Sequence, residues 1–576
     1  MLYHYTTERN AQILLGALKE FGINQVIVSP GTTNIALVAS MQSDSFFKMF
    51  SAPDERSAAY MACGIAQESG NPVVLTCTGA TASRNYVSGL TEAFYRHLPI
   101  LAVTSMHRFS NVGNLVAQVI DRSQIQKDIA KLSLEIPIVK DNDDVWSCTL
   151  KVNKALQALL TRGKGPVHIN LETNDSKDFS LKRLPEFHAI KHVCMADTFP
   201  VLRAKKVAIF IGSHKIWTED EQQAIDEFCS SQNAVVFCDH TSNYKGKYRI
   251  NGSLIASQVH FDLGPITPDL LIHIGEVSGD YATTQWLKRV KEVWRVSEDG
   301  AIRDLTHRLT YIFEMPEKIF FSHYIKEYVG TGNDYWTMLH SLHAQLVQQM
   351  PESLPFSNIW IARFLSKLIP DNSSIHLGIL NSLRSWNLFD IPSLVTESCN
   401  VGGFGIDGGM SSLIGASLVN PNKLYFGVFG DLAFFYDMNV LANRHVGKNV
   451  RILLINNGCG SEFRLYSHPA SQFGEDANDF IAAAGHYGNQ SRILVKHYAQ
   501  DLGYTYLSAN NKEEFIQQSA RFVDTDFSQS VIFEVFTEAS HESKALMMIR
   551  NIIKPSTREQ IRGKVASVVK SIIYKK

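Results

Sequence analysis

Leu424-Tyr-Phe-Gly-Val-Phe-Gly-Asp431 is the stretch that decides the fold class, and Val450-Arg-Ile-Leu-Leu-Ile-Asn-Asn457-Gly458 follows with the same pattern. In each stretch a continuous apolar run passes directly into glycine, aspartate or asparagine. Unbroken apolar runs of this length, bounded by turn residues, are typical of parallel strands that are buried on both faces. A helical stretch separates the two runs, so this part of the chain is predicted to be an α/β domain.

Short apolar runs of the same kind recur along the whole chain. In sequence order they are Gln25–Ser29, Pro72–Thr76, Pro99–Thr104, Pro166–Asn170, Lys206–Gly212, Ala234–Cys238, Leu270–Gly275, Val293–Val296, Ser374–Gly378 and Ser530–Val535. Helical stretches separate them. In the first, residues 8–21, Ala11, Leu14 and Leu18 share one face, and Gly22 stands where a C-cap belongs. The alternation predicts an α/β fold with three doubly wound parallel-sheet domains in series.

The predicted domains are residues 1–180, 200–345 and 353–555. Between about 175 and 200 the pattern dissolves into polar residues and prolines, which is typical of a linker. Residues 556–576 are predicted to form a basic C-terminal tail. A solvated helix face is the simplest explanation of such a tail, and contact with an anionic surface is the alternative.

The composition is that of an ordinary globular protein, 45% hydrophobic and 19% charged, with a formal net charge of −1. A charge so close to zero favours neither a nucleic-acid nor a membrane partner. The first residues lack the basic region and apolar core of a signal peptide, and no apolar run approaches the roughly 18 residues of a membrane span. The cysteines include no Cys-x-x-Cys pair, so we expect a cytoplasmic protein without a zinc or disulfide framework.

Polar residues follow two strands of the third domain, at the edge where open α/β sheets bind ligands. Asp431 offers a carboxylate oxygen after the first run, and Asn457 offers an amide oxygen after the second. The backbone carbonyl of Cys459 adds a third oxygen just beyond. Mg²⁺ prefers oxygen ligands of this kind, with a diphosphate and water completing its shell. We therefore predict a magnesium site formed by Asp431, Asn457 and Cys459.

The interval from Gly430-Asp431 to Asn456-Asn457 resembles the metal motif of thiamine-diphosphate-dependent enzymes. The order of the other segments agrees, because Glu55 at a strand–helix boundary and a loop from Thr78 to Asn85 precede the motif. The resemblance implies two cofactors, thiamine diphosphate and Mg²⁺, and pyrimidine, central and diphosphate domains in that order. It also implies that Glu55 binds N1′ of the aminopyrimidine, whereas Glu55 taken alone favours a helix cap.

Within that family the chain resembles the synthases of the menaquinone pathway, which join a succinyl unit from 2-oxoglutarate to isochorismate. The shared segments are Ser29–Gly31, Asp54–Ser57, Cys77-Thr78, Asn85-Tyr86, Asn381–Arg384, Gly405–Gly408 and Gly430–Leu432. The resemblance implies catalytic roles for Glu55, Arg108 and Gln118. It implies cofactor contacts from Pro30, Gly31, Glu55, Thr78, Asn85, Ser382, Ile406, Gly430, Asp431, Leu432 and Asn457.

The chain departs from these synthases where they bind substrate carboxylates. Thr33 and Val401 stand where the synthases have arginines, and losing such a contact typically costs about 1.5–3 kcal/mol. Beyond the metal motif, apolar positions of the synthases become Ser461-Glu-Phe-Arg464 here. The isochorismate reaction is therefore not expected. The candidate substrate residues are Thr32, Thr33, Asn34, Arg108, Glu462 and Arg464, and the last two are equally consistent with a surface ion pair.

The function expected from the resemblance is that of a carboligase, a transferase or lyase that decarboxylates a 2-oxo acid and passes the acyl-anion equivalent to a carbonyl or enoyl acceptor. A simple 2-oxo acid decarboxylase and a flavin-containing acetolactate-type enzyme are alternatives. A non-catalytic cofactor-binding protein is the alternative of another class, and the retained Glu55, Asp431 and Asn457 argue against it. The family's arrangement also implies a homodimer or homotetramer.

Overall fold

The chain divides into two compact units, seen in a computed structural model that describes residues 4–325, 333–526 and 528–555. The first unit consists of Met1–Val193 and Ala301–Ile312, and the second of Cys194–Gly300 and Phe313–Lys576. The predicted basic tail, residues 556–576, lies outside the described residues. In the part of the chain that is described, no helix is long and apolar enough to cross a membrane.

The strands follow one another along the whole described chain. Their bounds are β1 Gln25–Val28, β2 Lys48–Ser51, β3 Val73–Thr78, β4 Ile100–Met106, β5 Leu132–Ile136, β6 Val167–Glu172, β7 Lys191–Cys194, β8 Val207–Ile211, β9 Ala234–Cys238, β10 Arg249–Ile250, β11 Leu270–Ile274, β12 Glu292–Val296, β13 Leu309–Glu314, β14 Ser374–Leu377, β15 Thr396–Ser398, β16 Tyr425–Gly430, β17 Val450–Asn456, β18 Thr505–Ala509 and β19 Val531–Phe536.

Helices alternate with these strands. Their bounds are α1 Arg9–Glu20, α2 Ile35–Gln42, α3 Glu55–Ser69, α4 Thr81–Asn85, α5 Val87–Tyr95, α6 Asn142–Leu160, α7 Glu219–Ser231, α8 Gly252–Ala256, α9 Tyr281–Leu287, α10 Glu317–Tyr324, α11 Asp334–Gln348, α12 Asn358–Leu365, α13 Asn381–Trp386, α14 Gly409–Ser417, α15 Asp431–Asp437, α16 Ala477–Phe480, α17 Leu494–Asp501, α18 Lys512–Phe522 and α19 Ala539–Arg550.

The strands form three parallel sheets, which confirms the predicted fold class. The first sheet has the order β2-β1-β3-β4-β6-β5, and the third has the order β15-β14-β16-β17-β19-β18. Counted from the start of each sheet, the two orders are the same. Strands β8, β9, β10, β11 and β12 of the central sheet have the order β10-β9-β8-β11-β12. The strand order reverses between β1 and β3 in the first sheet and between β14 and β16 in the third. Open α/β sheets bind ligands at such switch points.

The predicted elements agree closely with the observed ones where the strands are fully buried. Strand β9 has the predicted bounds, and every residue of β17 is buried. Helix α1 ends at Glu20, and Gly22 follows in the left-handed conformation with φ of 69°, as a helix C-terminus requires. These elements are the ones whose sequence is continuously apolar or regularly amphipathic.

The strands that have no predicted apolar run include all four edges of the first and third sheets, namely β2, β5, β15 and β18, although a strand was predicted before Glu55, where β2 lies. Most residues of β2 are exposed, and the others carry partly exposed residues, so they lack a continuous apolar run. Edge strands are commonly short and polar, because this discourages pairing with other chains. Strand β7 lies inside the predicted linker, which is therefore wrong in part.

Candidate active site

The turns after β16 and β17 lie side by side at the carboxyl edge of the third sheet. The two strands pair in parallel with Gly430 opposite Ile455, and Asp431 begins α15 immediately after β16. The Oδ2 of Asp431 accepts a hydrogen bond of 2.6 Å from the backbone N–H of Gly458. Its Oδ1 accepts one of 2.8 Å from the N–H of Leu432. The structure thus brings the two halves of the predicted metal motif together.

The electrostatics of Asp431 suit a site for a cation. The side chain is 5% exposed, and among the described residues no lysine, arginine or histidine pairs with it. Burial raises the pKa of the Asp431 carboxyl to about 6, although backbone N–H groups of Leu432 and Gly458 lower it. A buried carboxylate without a counter-charge is costly, and a divalent cation removes that cost.

Two further oxygens accompany this carboxylate. The Oδ1 of Asn457 accepts two long hydrogen bonds from Cys459, of 3.4 Å from its N–H and 3.9 Å from its Sγ. No donor among the described residues reaches the carbonyl oxygen of Cys459. Gly458 between them has φ of 76°, which permits the tight turn. A carboxylate, an amide and a carbonyl oxygen fit the ligand preference of Mg²⁺.

A buried hydrogen-bonded group that was not predicted from the sequence holds Asn456, the residue before Asn457. Asn456 donates from Nδ2 to Oε1 of Glu534 at 2.7 Å, and the hydroxyl of Tyr506 donates to Oε2 at 2.7 Å. Glu534 is 1% exposed in the middle of β19, and burial raises the pKa of its carboxyl. The signal was present in the sequence, because Glu534 is the one charged residue in an otherwise apolar run.

The switch point of the third sheet holds further predicted cofactor residues. Ile406, Ile379 and Phe429 line a small cavity there with neighbouring glycines, so Ile406 lies beside the end of β16. Ser382 is in the first turn of α13, which follows β14, and accepts a weak hydrogen bond of 3.4 Å from the amide of Asn358. These placements bring Ile406 and Ser382 to the same end of the third sheet as Asp431.

In the first unit, Glu55 is the first residue of α3, directly after the short strand β2 and the N-cap Asp54. Asn85 donates a hydrogen bond of 3.0 Å from Nδ2 to Oε2 of Glu55. The contact brings together two residues that the resemblance had named separately. Because Asn85 ends α4, the Thr78–Asn85 segment determines where one oxygen of Glu55 points.

Gly31 and Thr78 meet at the switch point of the first sheet, where β1 and β3 are neighbours. A Cβ added at Gly31 would lie 1.8 Å from Cγ2 of Thr78, so no other residue type fits without a shift. Pro30 is exposed just before Gly31. The close approach of these two predicted cofactor segments therefore depends on the glycine.

The candidate substrate residues of the first unit divide into buried and exposed sets. Thr33 is buried and donates to the carbonyl of Ser105 at 2.5 Å, and Asn34 is buried and donates to the carbonyl of Ser29 at 3.1 Å. The exposed members are Thr32 and Arg108, and Gln118, which was predicted to be catalytic, is exposed as well. Thr33 is thus committed to its own backbone, while Arg108 and Gln118 lie on the irregular segment after β4.

Glu462 and Arg464 do not pair with each other. Glu462 accepts two hydrogen bonds from Arg384, of 2.8 and 2.9 Å, and Arg464 instead donates to the carbonyl of Gly474. Val401 is 2% exposed and packs in the core of the third sheet. The position where the synthases have an arginine is therefore part of the hydrophobic core here.

The parallel sheets, the oxygens at the strand ends and the Glu55–Asn85 contact fit the arrangement that the resemblance to thiamine-diphosphate-dependent enzymes predicts. In agreement, residues 9–132 match the family described as "Thiamine pyrophosphate enzyme, N-terminal TPP binding domain". The chain is thus a relative of the thiamine-diphosphate-dependent enzymes and carries their N-terminal domain, which confirms the resemblance found in the sequence.

Several curated relatives extend this similarity over nearly the full length, and each is named 2-succinyl-5-enolpyruvyl-6-hydroxy-3-cyclohexene-1-carboxylate synthase. The protein from Bacteroides thetaiotaomicron is 28% identical over 94% of this chain and 98% of its own. That from Flavobacterium psychrophilum is 27% identical over 92% and 96%. That from Staphylococcus haemolyticus is 24% identical over 89% and 92%.

Proposed function

We propose that this protein is a thiamine-diphosphate- and Mg²⁺-dependent carboligase that decarboxylates a 2-oxo acid and transfers the resulting acyl-anion equivalent to an acceptor. The observation that carries the proposal is the buried Asp431 carboxylate, which lacks a counter-charge and lies beside Asn457. The full-length similarity to carbon–carbon bond-forming synthases supports ligation over plain decarboxylation.

The residues of the second unit would hold the diphosphate end of the cofactor. Asp431, Asn457 and the carbonyl of Cys459 would bind Mg²⁺, and Ile406 beside the end of β16 would contact the cofactor. When bound, thiamine diphosphate supplies a nucleophile for the carbonyl of the 2-oxo acid and an electron sink for its decarboxylation. The chain's own part is to hold these groups in position around the cofactor.

The residues of the first unit would act at the other end. Glu55 would exchange a proton at its carboxylate with the aminopyrimidine, and its position at the start of α3 fixes where that oxygen lies. Asn85 occupies Oε2 and so leaves Oε1 to the cofactor. Arg108 on the exposed segment would bind the carboxylate of the donor acid.

The acceptor is proposed to differ from that of the synthases to which the chain is similar. Val401 is buried in the core and Thr33 is bonded to the backbone of Ser105, so neither supplies a cation to a substrate carboxylate. Isochorismate is therefore not proposed as the acceptor. The assembly is proposed to be a homodimer or homotetramer, as in the family.

A turnover assay tests the proposal directly. The protein is loaded with thiamine diphosphate and Mg²⁺, and carbon dioxide release is measured with pyruvate, 2-oxoglutarate and other 2-oxo acids. Release from one acid that requires the cofactor is expected, with faster release when the acceptor is present. Aldehyde as the sole product would assign a plain decarboxylase, and failure of calorimetry to detect thiamine diphosphate binding would overturn the proposal. Light scattering in the same buffer checks the oligomer, and an active monomer would contradict the assembly.

A further inference from the structure

The second unit contains a cavity of about 530 Å³ to which no role has yet been given. One wall comes from α8, α9 and the residues around them, and the other from α13, α19 and residues 462–469. Small-molecule sites in proteins commonly have volumes of about 300–1,000 Å³. The cavity is therefore large enough for a compact metabolite.

The cationic groups of the cavity exceed what its carboxylates neutralise. Arg289, Arg384 and Arg550 line it, together with the carboxylates Asp280 and Glu462 and the imidazole of His468. Asp280 is 4% exposed and caps α9 by accepting from the N–H of Thr283 at 3.0 Å. Glu462 is bound by Arg384. Neither Arg289 nor Arg550 has a carboxylate partner among the residues that the structure describes.

The pair of Arg384 and Glu462 gives the cavity a hydrogen-bonding side as well as a charge. Their side chains are 27% and 19% exposed, so both remain reachable from the cavity. Oε1 of Glu462 accepts one bond from Arg384 and keeps capacity for another donor, whereas Oε2 accepts from both Arg384 and the amide of Asn381. Tyr281 lies above the guanidinium, with its ring centroid 6.0 Å from the Arg384 Cζ. Hydroxyl donors would find acceptors at this wall.

The same wall connects the cavity to the candidate cofactor residues. Arg384 is on α13 with Ser382, and Glu462 comes shortly after Cys459 in the sequence. The side chains of Asn381 and Ser461 contact each other at 2.6 Å and join these two segments. A molecule in the cavity would therefore approach the predicted cofactor site from the Arg384–Glu462 side.

We propose that this cavity binds the acceptor, and that the acceptor is a hydroxylated small-molecule anion, a carboxylate or a phosphate. Arg289 and Arg550 bind its charge, and Glu462, held by Arg384, accepts from its hydroxyl groups. This assignment rests on the proposed carboligase function, because it names the substrate class of that reaction. Trp286, Leu388 and Leu465 add apolar side chains to the lining, which also includes polar residues such as Ser253, Gln285 and Asn387.

Calorimetric titration of the cofactor-loaded protein tests the assignment with three probes of similar size: D-gluconate, D-glucose 6-phosphate and the neutral D-sorbitol. At least one anion is expected to bind and sorbitol to bind much more weakly, and the preferred anion tells carboxylate from phosphate. Arg289→Gln and Arg550→Gln should each weaken that anion roughly tenfold to a hundredfold. Lys288→Gln is the matched control, because Lys288 is exposed, carries the same charge and does not line the cavity.

Glu462→Gln separates the two parts of the proposal. Releasing Arg384 from its carboxylate should strengthen binding of hexanoate, which has no hydroxyls, and reduce the preference for D-gluconate. Absence of binding by both hydroxylated anions, or equal weakening by Lys288→Gln, would overturn the assignment. Carbon dioxide release from the donor acid is measured on the same preparations. Carbon dioxide release without anion binding would leave the proposed function in place and reject the cavity as the acceptor site. Anion binding without carbon dioxide release would keep the cavity as an anion site and reject the proposed function.

Discussion

Asn85 Nδ2 lies 3.0 Å from Glu55 Oε2 and donates a hydrogen bond to it. The two residues belong to different helices, and the bond fixes one of the two carboxylate oxygens at the start of α3. A carboxylate that is held at one oxygen presents the other in a defined direction. Preorganisation of this kind is what a group needs when it transfers a proton to a bound cofactor.

Glu55→Gln should abolish turnover, with a loss of roughly a hundredfold or more, because an amide cannot carry the proton. Binding of thiamine diphosphate should remain largely intact, since the metal turn in the second unit is unchanged. Steady-state rates and calorimetric titration measure the two effects separately. Glu68→Gln, an exposed position on the same helix, serves as the control. Loss of cofactor binding together with activity would show that Glu55 has been misplaced.

Asp431→Ala should release Mg²⁺ and thiamine diphosphate together, because it removes the only carboxylate of the metal turn. The metal-free fold should survive, since the replaced carboxylate is buried without a counter-charge. Metal analysis after gel filtration and circular dichroism check the two expectations. Asp371→Ala, at an exposed position of the same sheet region, should retain both ligands. A fully loaded Asp431→Ala protein would remove the proposed metal site.

Gly31→Ala should destabilise the protein by about 1–3 kcal/mol, because the new methyl group overlaps Cγ2 of Thr78. Thr78→Ser deletes that methyl, so the double variant should recover most of the stability. Denaturant unfolding of the four proteins in the cycle measures the coupling. Gly64→Ala, inside α3 with no atom within 4 Å of the new Cβ, should instead stabilise by about 0.5–1 kcal/mol. Additive single effects at Gly31 and Thr78 would contradict the contact.

Glu542 predicts a pH dependence of stability. Burial raises the pKa of its carboxyl to about 7 from an ordinary 4.5, although the N–H of Asn358 lowers it. The folded state therefore holds the proton more tightly, and about 3 kcal/mol of stability present below pH 4.5 is lost as the pH rises to 7. Glu542→Gln cannot lose a proton, so its stability relative to the parent should rise between pH 5 and pH 8.

Thermal unfolding across that pH range measures the difference between Glu542→Gln and the parent. Glu538→Gln is the control, because the Glu538 side chain is 70% exposed four residues earlier. Its curve should run parallel to that of the parent protein. Parallel curves for Glu542→Gln as well would mean that Glu542 is ionised in the folded state at all these values of pH.

The buried strands were predictable because their apolar runs depend only on local sequence. Strand β17, buried along its whole length, is an example, and the exposed β2 shows the limit, since an edge strand need not be apolar. The proximity of Asp431 to the Asn457-Gly458 turn was predictable because the two segments follow two such strands.

Partner choice was not predictable, because it depends on residues far apart in the chain. Nothing in the sequence around Glu462 indicates that Arg384, rather than Arg464, binds it. The burial of Arg122 was not predicted, because it too depends on residues far apart in the chain. Its guanidinium is 3% exposed, donates to Asn170 and leaves Nε and Nη1 without partners in the described part of the chain.

The bond from Asn456 to Glu534 spans 78 residues, so during synthesis on the ribosome Asn456 is made well before its partner. Strand β19, which carries Glu534 and pairs with β17, leaves the ribosome after β18, although it lies between them in the sheet. At about 5–20 residues per second, the turn that carries Asn457 waits roughly 4–16 s for its support. A nascent chain therefore contains the proposed metal ligands before their support is made, and we expect metal capture only after β19 has been synthesised.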